Sequence, residues 1–286
     1  MTPPIIASAS ALLARYDVLF CDVWGVLHNG IAAYSEAGAA LAGFRASGGT
    51  VILISNAPRG ADAVARILDE KGVRRDAWDA IVSSGDLARS RIAEAGYRRI
   101  HHIGPRRDDD LFDRITARRV AMPEAEALVV TGLEDDRRET GESYRLLLEA
   151  ALARQLPMVC ANPDLVVHVG ALALPCAGAV AAVYAGLGGE IFWAGKPHRP
   201  AYERALAAAS QLRGGDIPLD RVLAIGDAVR TDLAGAAMFG IDALFIALGI
   251  HHADVMERGH IDPERLSALL AAEGVPPPVA AMVELK

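Results

Sequence analysis

Cysteine is scarce in this chain: Cys21, Cys160 and Cys176 are 3 residues in 286. Their number is odd and no two have CxxC spacing, which excludes a disulfide framework and a thiolate metal knuckle. Each is expected to pack as a small apolar side chain in a reducing cytoplasm. Positive charge is not in excess either, with Lys+Arg 29 against Asp+Glu 36 and a net charge of -7. That balance argues against nucleic acid or an anionic membrane as partner. No apolar run approaches the ~20 residues of a membrane span. The segment "MTPPIIASASALLARYDVLF" has no basic start and is interrupted by Arg15 and Asp17, so no signal peptide is expected. GxGxxG is missing, and "GGEIFWAGKP" fails as a P-loop because Glu190 stands at the first glycine and Pro197 at the Ser/Thr position. A nucleotide-binding Rossmann protein is therefore disfavoured.

What is present is a well-supplied core, with 52% hydrophobic and 23% charged residues over a length that suits one large domain or two smaller ones. Short continuous apolar runs ("VLFCDV", "TVILISN", "AIVSS", "ALVVTG", "PMVCAN", "EIFWAG", "RVLAIGD", "DALFIAL") alternate with helix-length segments. Continuous rather than alternating polarity marks strands covered on both faces, so the class is α/β with a mostly parallel sheet. The helix in "SEAGAALAGFRASGG" is predicted to open with Ser35 as N-cap and to close at Gly48. The tail "GVPPPVAAMVELK" reads as a surface extension.

Ligands of parallel α/β sheets sit at the carboxyl ends of strands. Four runs end in a polar residue there: Asp22, Ser55, Lys196 and Asp227. The interval from Ser55 to Lys196 is too long for one crossover, which predicts a core domain of residues 1–84 and 191–286 with an inserted domain at 85–190. Read alone, "GDAVRTD" is equally a helix start capped by Thr231 or Asp232. Taken with "FCD", it gives three carboxylates, Asp22, Asp227 and Asp232, whose oxygen donors suit Mg²⁺ better than Zn²⁺. Ser55, the amides after it and Lys196 supply donors and a cation for a phosphate. A carboxylate so placed can attack phosphorus.

These motifs resemble the haloacid dehalogenase superfamily of hydrolases, in its class IIA branch of sugar-phosphate, nucleotide and p-nitrophenyl phosphatases. "FCDVWGVLHNG" is similar to the first motif, "LISNAPR" to the second, "AGKPHRPAYERAL" to the lysine motif and "AIGDAVRTDLAGAAMFGID" to the acidic fourth, in order and with the insert between the second and third. "ANPDLVV" and "ALPCAGAVAAV" resemble segments leading from that branch's cap domain back to the core. The resemblance implies a Rossmann-like parallel-sheet core with an inserted α/β cap, Asp22 as nucleophile, and Mg²⁺ held by Asp22, Asp227 and the backbone carbonyl of Trp24. It implies that Ser55 and Lys196 hold the transferring phosphoryl group, that Asn56 fixes the loop, and that Asp232 positions Lys196 or metal-bound water.

Trp24 departs from the family pattern. Most phosphatases of the superfamily carry a second Asp there, which protonates the leaving oxygen and then activates water, whereas an indole N–H has no accessible acid–base chemistry. General acid–base catalysis contributes roughly 10² to 10⁴-fold, so impaired turnover and a long-lived aspartyl-phosphate are expected. The superfamily's dehalogenases carry Tyr at this position, but they work without metal and insert their cap earlier. The segment from Asp22 to Ser55 is too short for that cap, and Asp227 and Asp232 are retained.

His28 reads as a surface loop histidine or as a candidate replacement acid, with an ordinary pKa near 6.5. Asp164, His168 and the run "GLEDDRRE" are others, and those charges equally read as a solvated face. The pairs at 101–102 and 251–252 are assigned to no site, since adjacent strand side chains point to opposite faces. Arg59 is open between reaching substrate and capping the next helix, and Trp193 is read as core packing. Together these readings predict a cytoplasmic, Mg²⁺-dependent phosphatase-like enzyme acting on a small phosphorylated metabolite. Its α/β cap is expected to close over the site, and an apolar cap face to admit a homodimer. The alternative is an attenuated protein that binds phosphorylated ligands as a sensor.

Overall fold

In the computed structural model, which describes residues 2–169 and 172–286, the apolar runs form strands. In chain order these are β1 (Val18–Asp22), β2 (Thr50–Ser55), β3 (Ala80–Ser83), β4 (Arg99–Ile103), β5 (Arg118–Arg119), β6 (Ala127–Val130), β7 (Met158–Cys160), β8 (Val166–Val169), β9 (Leu172–Pro175), β10 (Ile191–Trp193), β11 (Val222–Gly226), β12 (Asp242–Ile246), β13 (Met256–Glu257), β14 (His260–Ile261) and β15 (Ala280–Met282). Backbone contacts divide the chain into two compact units, one of Met1–Ser55, Ala65–Val82 and Ala201–Lys286, the other of Asn56–Val64 and Ser83–Pro200.

The first unit is built on a 6-stranded sheet of order β15-β12-β11-β1-β2-β3. β1 lies parallel between β2 and β11, with Asp22 opposite Ile54 and Cys21 opposite Ile225. All residues of β1, β2 and β11 are buried, as continuous apolar runs require when helices cover both faces. Each fully buried Val, Leu or Ile contributes about 1.5–3 kcal/mol of transfer free energy. The strand order reverses between β1 and β11, and a doubly wound sheet opens its ligand crevice at that point.

The second unit has its own parallel sheet of order β10-β7-β6-β4-β5. Here the order reverses between β4 and β6. Leu128, Val130, Leu148, Met158, Val180 and Tyr184 belong to its core. β8 and β9 form an antiparallel pair with Val166 opposite Pro175.

Three sequence expectations are revised. β10, read as a strand of the first sheet leading to Lys196, pairs with β7 (Ile191 opposite Met158, Trp193 opposite Cys160). Residues 191–200 therefore belong to the second unit, as do 56–64, where the sequence reading drew the insert at 85–190. Ser35 lies inside the helix Ser35–Ala46 rather than capping it; the preceding residue, Tyr34, has extended backbone and no side chain caps this end. The tail is not a surface extension. β15 pairs in parallel with β12, and Ala281, Met282 and Leu285 are buried, because "VAAMV" is one more apolar run with an open sheet edge to complete.

All three cysteines are buried, and burial pushes the Cys160 thiol up to about 12. No helix among the described residues is long and apolar enough to cross a membrane. Because Met282 packs in this terminal strand, Met282→Ala is expected to cost about 2–5 kcal/mol. Urea unfolding of parent and variant checks it, and equal midpoints would mean that β15 does not hold the sheet edge.

Candidate metal centre and active site

Asp22 closes β1 and Asp227 directly follows β11, so parallel pairing alone brings them to the point where the sheet order reverses. Asp232 joins them through a wide π-helical turn, Val229–Leu233, of a kind frequent at functional sites. In that turn the N–H groups of Asp232 and Leu233 both donate to the Ala228 carbonyl, at 2.9 and 3.3 Å. The Asp232 carboxylate folds back to accept from the Ala228 N–H at 3.1 Å. One oxygen from each of Asp22, Asp227 and Asp232 lies within 4.8 Å of the others. The three residues are 9%, 4% and 3% exposed.

Backbone closes around these groups. The Ile250 N–H donates to Asp227 Oδ2 at 2.6 Å. Gly25 and Gly249 lie against the Asp227 carboxylate and Gly226 against Asp232, so a Cβ at any of the three would collide with it. Gly25 also has φ +85, which disfavours a side chain on its own account. His251 supports the turn, its Nε2 accepting from the Val229 N–H at 3.3 Å and its Nδ1 lying 2.9 Å from Asp254 Oδ2. It sits at the start of a short helix, not on a strand, which is why strand geometry gave the 251–252 pair no role. Three buried carboxylates with no nitrogen or sulfur donor among them fit a hard divalent cation.

The loop after Asp22 is held by the Gly25 N–H donating to the His28 carbonyl (2.8 Å) and the Leu27 N–H to that of Val23 (2.9 Å). His28 is 1% exposed. Its Nδ1 accepts from the Gly30 N–H at 2.9 Å, so the neutral ring carries its proton on Nε2. Burial first, and the charge of Lys71 second, lower its pKa to about 4. At neutral pH His28 is therefore no proton donor, which corrects its candidacy as replacement acid. Its ring meets Trp24 edge-to-face, centroids 5.1 Å apart.

Ser55 is the buried last residue of β2, one past the residue that faces Asp22. In the second unit, Asn56 spans 140 residues of sequence to meet Lys196. Its Nδ2 donates to the Lys196 carbonyl at 3.0 Å and to Asp164 Oδ1 at 2.8 Å, and its Oδ1 accepts from the Lys196 N–H at 2.8 Å. Lys196 is 3% exposed. Asp164 is thus engaged by an amide, while His168 stands exposed on β8. Arg59 does not cap the following helix, whose Ala61 N–H donates instead to Asp86 Oδ2 at 2.7 Å. Its guanidinium donates to the Arg107 carbonyl at 2.6 Å and lies 3.8 Å from Asp108. Trp193 packs against the second unit's core and stacks on His198, centroids 5.1 Å apart. In the acidic run, Glu139 accepts from the Tyr144 hydroxyl and the Asp135 N–H, a local structural arrangement.

One cluster was not anticipated. At the carboxyl ends of β4 and β6, where the second sheet reverses, His102 Nε2 lies 2.9 Å from Thr131 Oγ1, and the buried Asp108 lies in the turn after β4. Burial raises the Asp108 pKa to about 6 against the pull of Arg107 and Arg59, and lowers that of His102 to about 4. The signal available in the sequence was the polar residue after each apolar run, but Asp108 lies in the turn beyond.

Two predictions follow from this geometry. Gly249→Ala displaces the Asp227 carboxylate and should abolish the rise in melting temperature that Mg²⁺ or Mn²⁺ gives the parent; an undiminished rise would place the cation elsewhere. Stability should also fall as pH drops from about 6.5 to about 4, because His28 and His102 take up protons near 6.5 when unfolded but resist to about 4 when folded. Asp108 works in the opposite sense, since its raised folded pKa adds stability at low pH that is lost as pH rises through about 6. In denaturation midpoints across this window, His28→Gln should flatten the loss and Asp108→Asn should steepen it.

The chain was compared with known proteins. A family model described as haloacid dehalogenase-like hydrolase matches residues 19–116, and a second, HAD-hydrolase-like model matches 193–272. No curated protein matches. Among solved structures, a hydrolase of the haloacid dehalogenase-like family from Brucella suis is 44% identical, with 99% of this chain and 100% of that one aligned and a TM-score of 0.86. A p-nitrophenyl phosphatase from Archaeoglobus fulgidus is 20% identical over 94% and 97% of the two chains, TM-score 0.71. A glycerol phosphate phosphatase from Mycobacterium tuberculosis, in complex with calcium, is 24% identical over 84% and 68%, TM-score 0.63.

Proposed function

The chain belongs to the haloacid dehalogenase-like hydrolases, and from that premise we propose that it is a Mg²⁺-dependent phosphoric monoester hydrolase acting on a small phosphorylated metabolite through an aspartyl-phosphate on Asp22. The observation that carries this reading is the convergence of Asp22, Asp227 and Asp232 at the reversal of the first sheet. The fold shared with the p-nitrophenyl and glycerol phosphate phosphatases, one of them bound to a divalent cation, supports it. Retention of all three carboxylates favours phosphoryl transfer over the metal-free dehalogenase chemistry.

In the first half-reaction an Asp22 carboxylate oxygen attacks phosphorus, and the bond to the leaving oxygen breaks with its electron pair. In the second, water attacks phosphorus and gives up a proton to solvent, the bond to Asp22 breaks with its electron pair, and inorganic phosphate is released with the carboxylate regenerated. Mg²⁺ held by Asp22, Asp227 and the Trp24 carbonyl would offset the negative charge of these carboxylates and of the phosphoryl oxygens. Ser55 is assigned to the phosphoryl group as a hydroxyl donor at the end of β2. For Lys196, in the second unit, that assignment rests on the family motif, and the two hydrogen bonds joining its backbone to Asn56 give Asn56 its role in fixing the loop. Asp232 is assigned to positioning, and the second unit to an inserted cap. Nothing on the Asp22 loop replaces the missing acid, so breakdown of the aspartyl-phosphate is slow.

Mixing the protein with Mg²⁺ and an aryl or acyl phosphate, then quenching for intact mass, tests this. The parent should gain the mass of one phosphoryl group and release phosphate slowly, and Asp22→Asn should do neither. A folded, cation-binding parent that shows neither signal but is stabilised by phosphorylated ligands would be the sensor instead.

A further inference from the structure

Between Asp22 and Tyr34 the sequence holds one titratable side chain, His28, and that ring is sealed from solvent with its Nδ1 occupied by the Gly30 N–H. The loop that carries the nucleophile thus has no group able to hand a proton to a departing oxygen. An alkoxide leaves without a proton only with great difficulty, whereas a phenolate, enolate or carboxylate leaves readily. What the loop does present is Trp24, 36% exposed and two residues from Asp22. The indole is not loose. It packs so closely on Gly30 that a Cβ there would collide with its six-membered ring, and His28 meets it edge-to-face. Gly30 has φ +84, so the residue that lets the ring approach the backbone is also one whose conformation disfavours a side chain. His28, buried and held through Nδ1 by the Gly30 N–H, supports this arrangement.

Resting on the phosphoryl-transfer reading above, we propose that Trp24 determines specificity: the enzyme acts on aryl, enol or acyl phosphates, whose planar leaving group packs against the indole and departs as an oxyanion without protonation. The step balances as written. The Asp22 oxygen forms a bond to phosphorus, the bond from phosphorus to the leaving oxygen breaks, and its electron pair goes out on that oxygen, to be protonated by solvent if at all.

The test is a series of substituted phenyl phosphates with acetyl phosphate and glycerol phosphate, assayed for kcat/KM with Mg²⁺ in the parent, Trp24→Phe, Trp24→Ala and Trp24→Asp. In the parent, kcat/KM should fall steeply as the leaving group becomes more basic, with glycerol phosphate slower than p-nitrophenyl phosphate by the roughly 10² to 10⁴-fold that a general acid supplies. Trp24→Phe, which keeps a ring on Gly30, should retain slope and KM. Trp24→Ala should retain the slope but raise KM for aryl substrates about 3- to 10-fold, the contribution of an aromatic pair. Trp24→Asp should flatten the slope. A parent that hydrolyses glycerol phosphate as fast as p-nitrophenyl phosphate, or a KM unmoved in Trp24→Ala, overturns the inference while leaving the hydrolase reading intact. A parent that neither releases phosphate nor forms an adduct with any of these compounds overturns both.

Discussion

The first unit is organised around a repulsion. Three carboxylates with oxygens within 4.8 Å of one another, none more than 9% exposed, oppose one another by about 3 kcal/mol per pair at an effective dielectric near 20. Such a cluster calls for a rigid scaffold, and the proposed cation would offset its charge. Rigidity comes from buried parallel strands on both sides of β1 and from backbone pressed against the side chains at Gly25, Gly226 and Gly249. The amides of Ala228 and Ile250 each donate to one carboxylate oxygen and so help to aim Asp232 and Asp227.

From that constraint the surrounding chemistry can be understood. The sheet order reverses where the charge is placed, the position at which open α/β sheets bind their ligands. The Asp22 loop contributes an indole and a buried imidazole where a second acid would serve a general phosphatase. This pairing is coherent, because the burial that seals His28 from solvent also sets its ring against Trp24. The proposed attenuation of acid catalysis and the proposed aromatic surface thus trace to one loop conformation.

Much of this was legible in the sequence, for identifiable reasons. Strands buried on both faces are continuous apolar runs, so the α/β class and the strand ends at Asp22, Ser55 and Asp227 could be read directly. β4, "RIHHI", was passed over because its polar middle breaks the run, and β15 because three prolines precede it. β10 was seen as a strand but assigned to the wrong sheet, since apolar periodicity says nothing about which partner a strand finds. The Asn56 contacts to Lys196 and Asp164 join positions more than 100 residues apart in sequence, and the burial of His28 depends on a turn closed by backbone hydrogen bonds. No local pattern encodes either, and a histidine beside Asn-Gly reads as an exposed loop residue until the turn is seen.

The most direct test of the central claim is a crystal structure of the protein with Mg²⁺ and beryllium fluoride, a mimic of the phosphoryl group on a carboxylate. The account predicts a cation bound to Asp22 and Asp227, with Asp232 beside it, and beryllofluoride bonded to the other Asp22 oxygen. An unmodified Asp22 with the cation bound away from these carboxylates would contradict it.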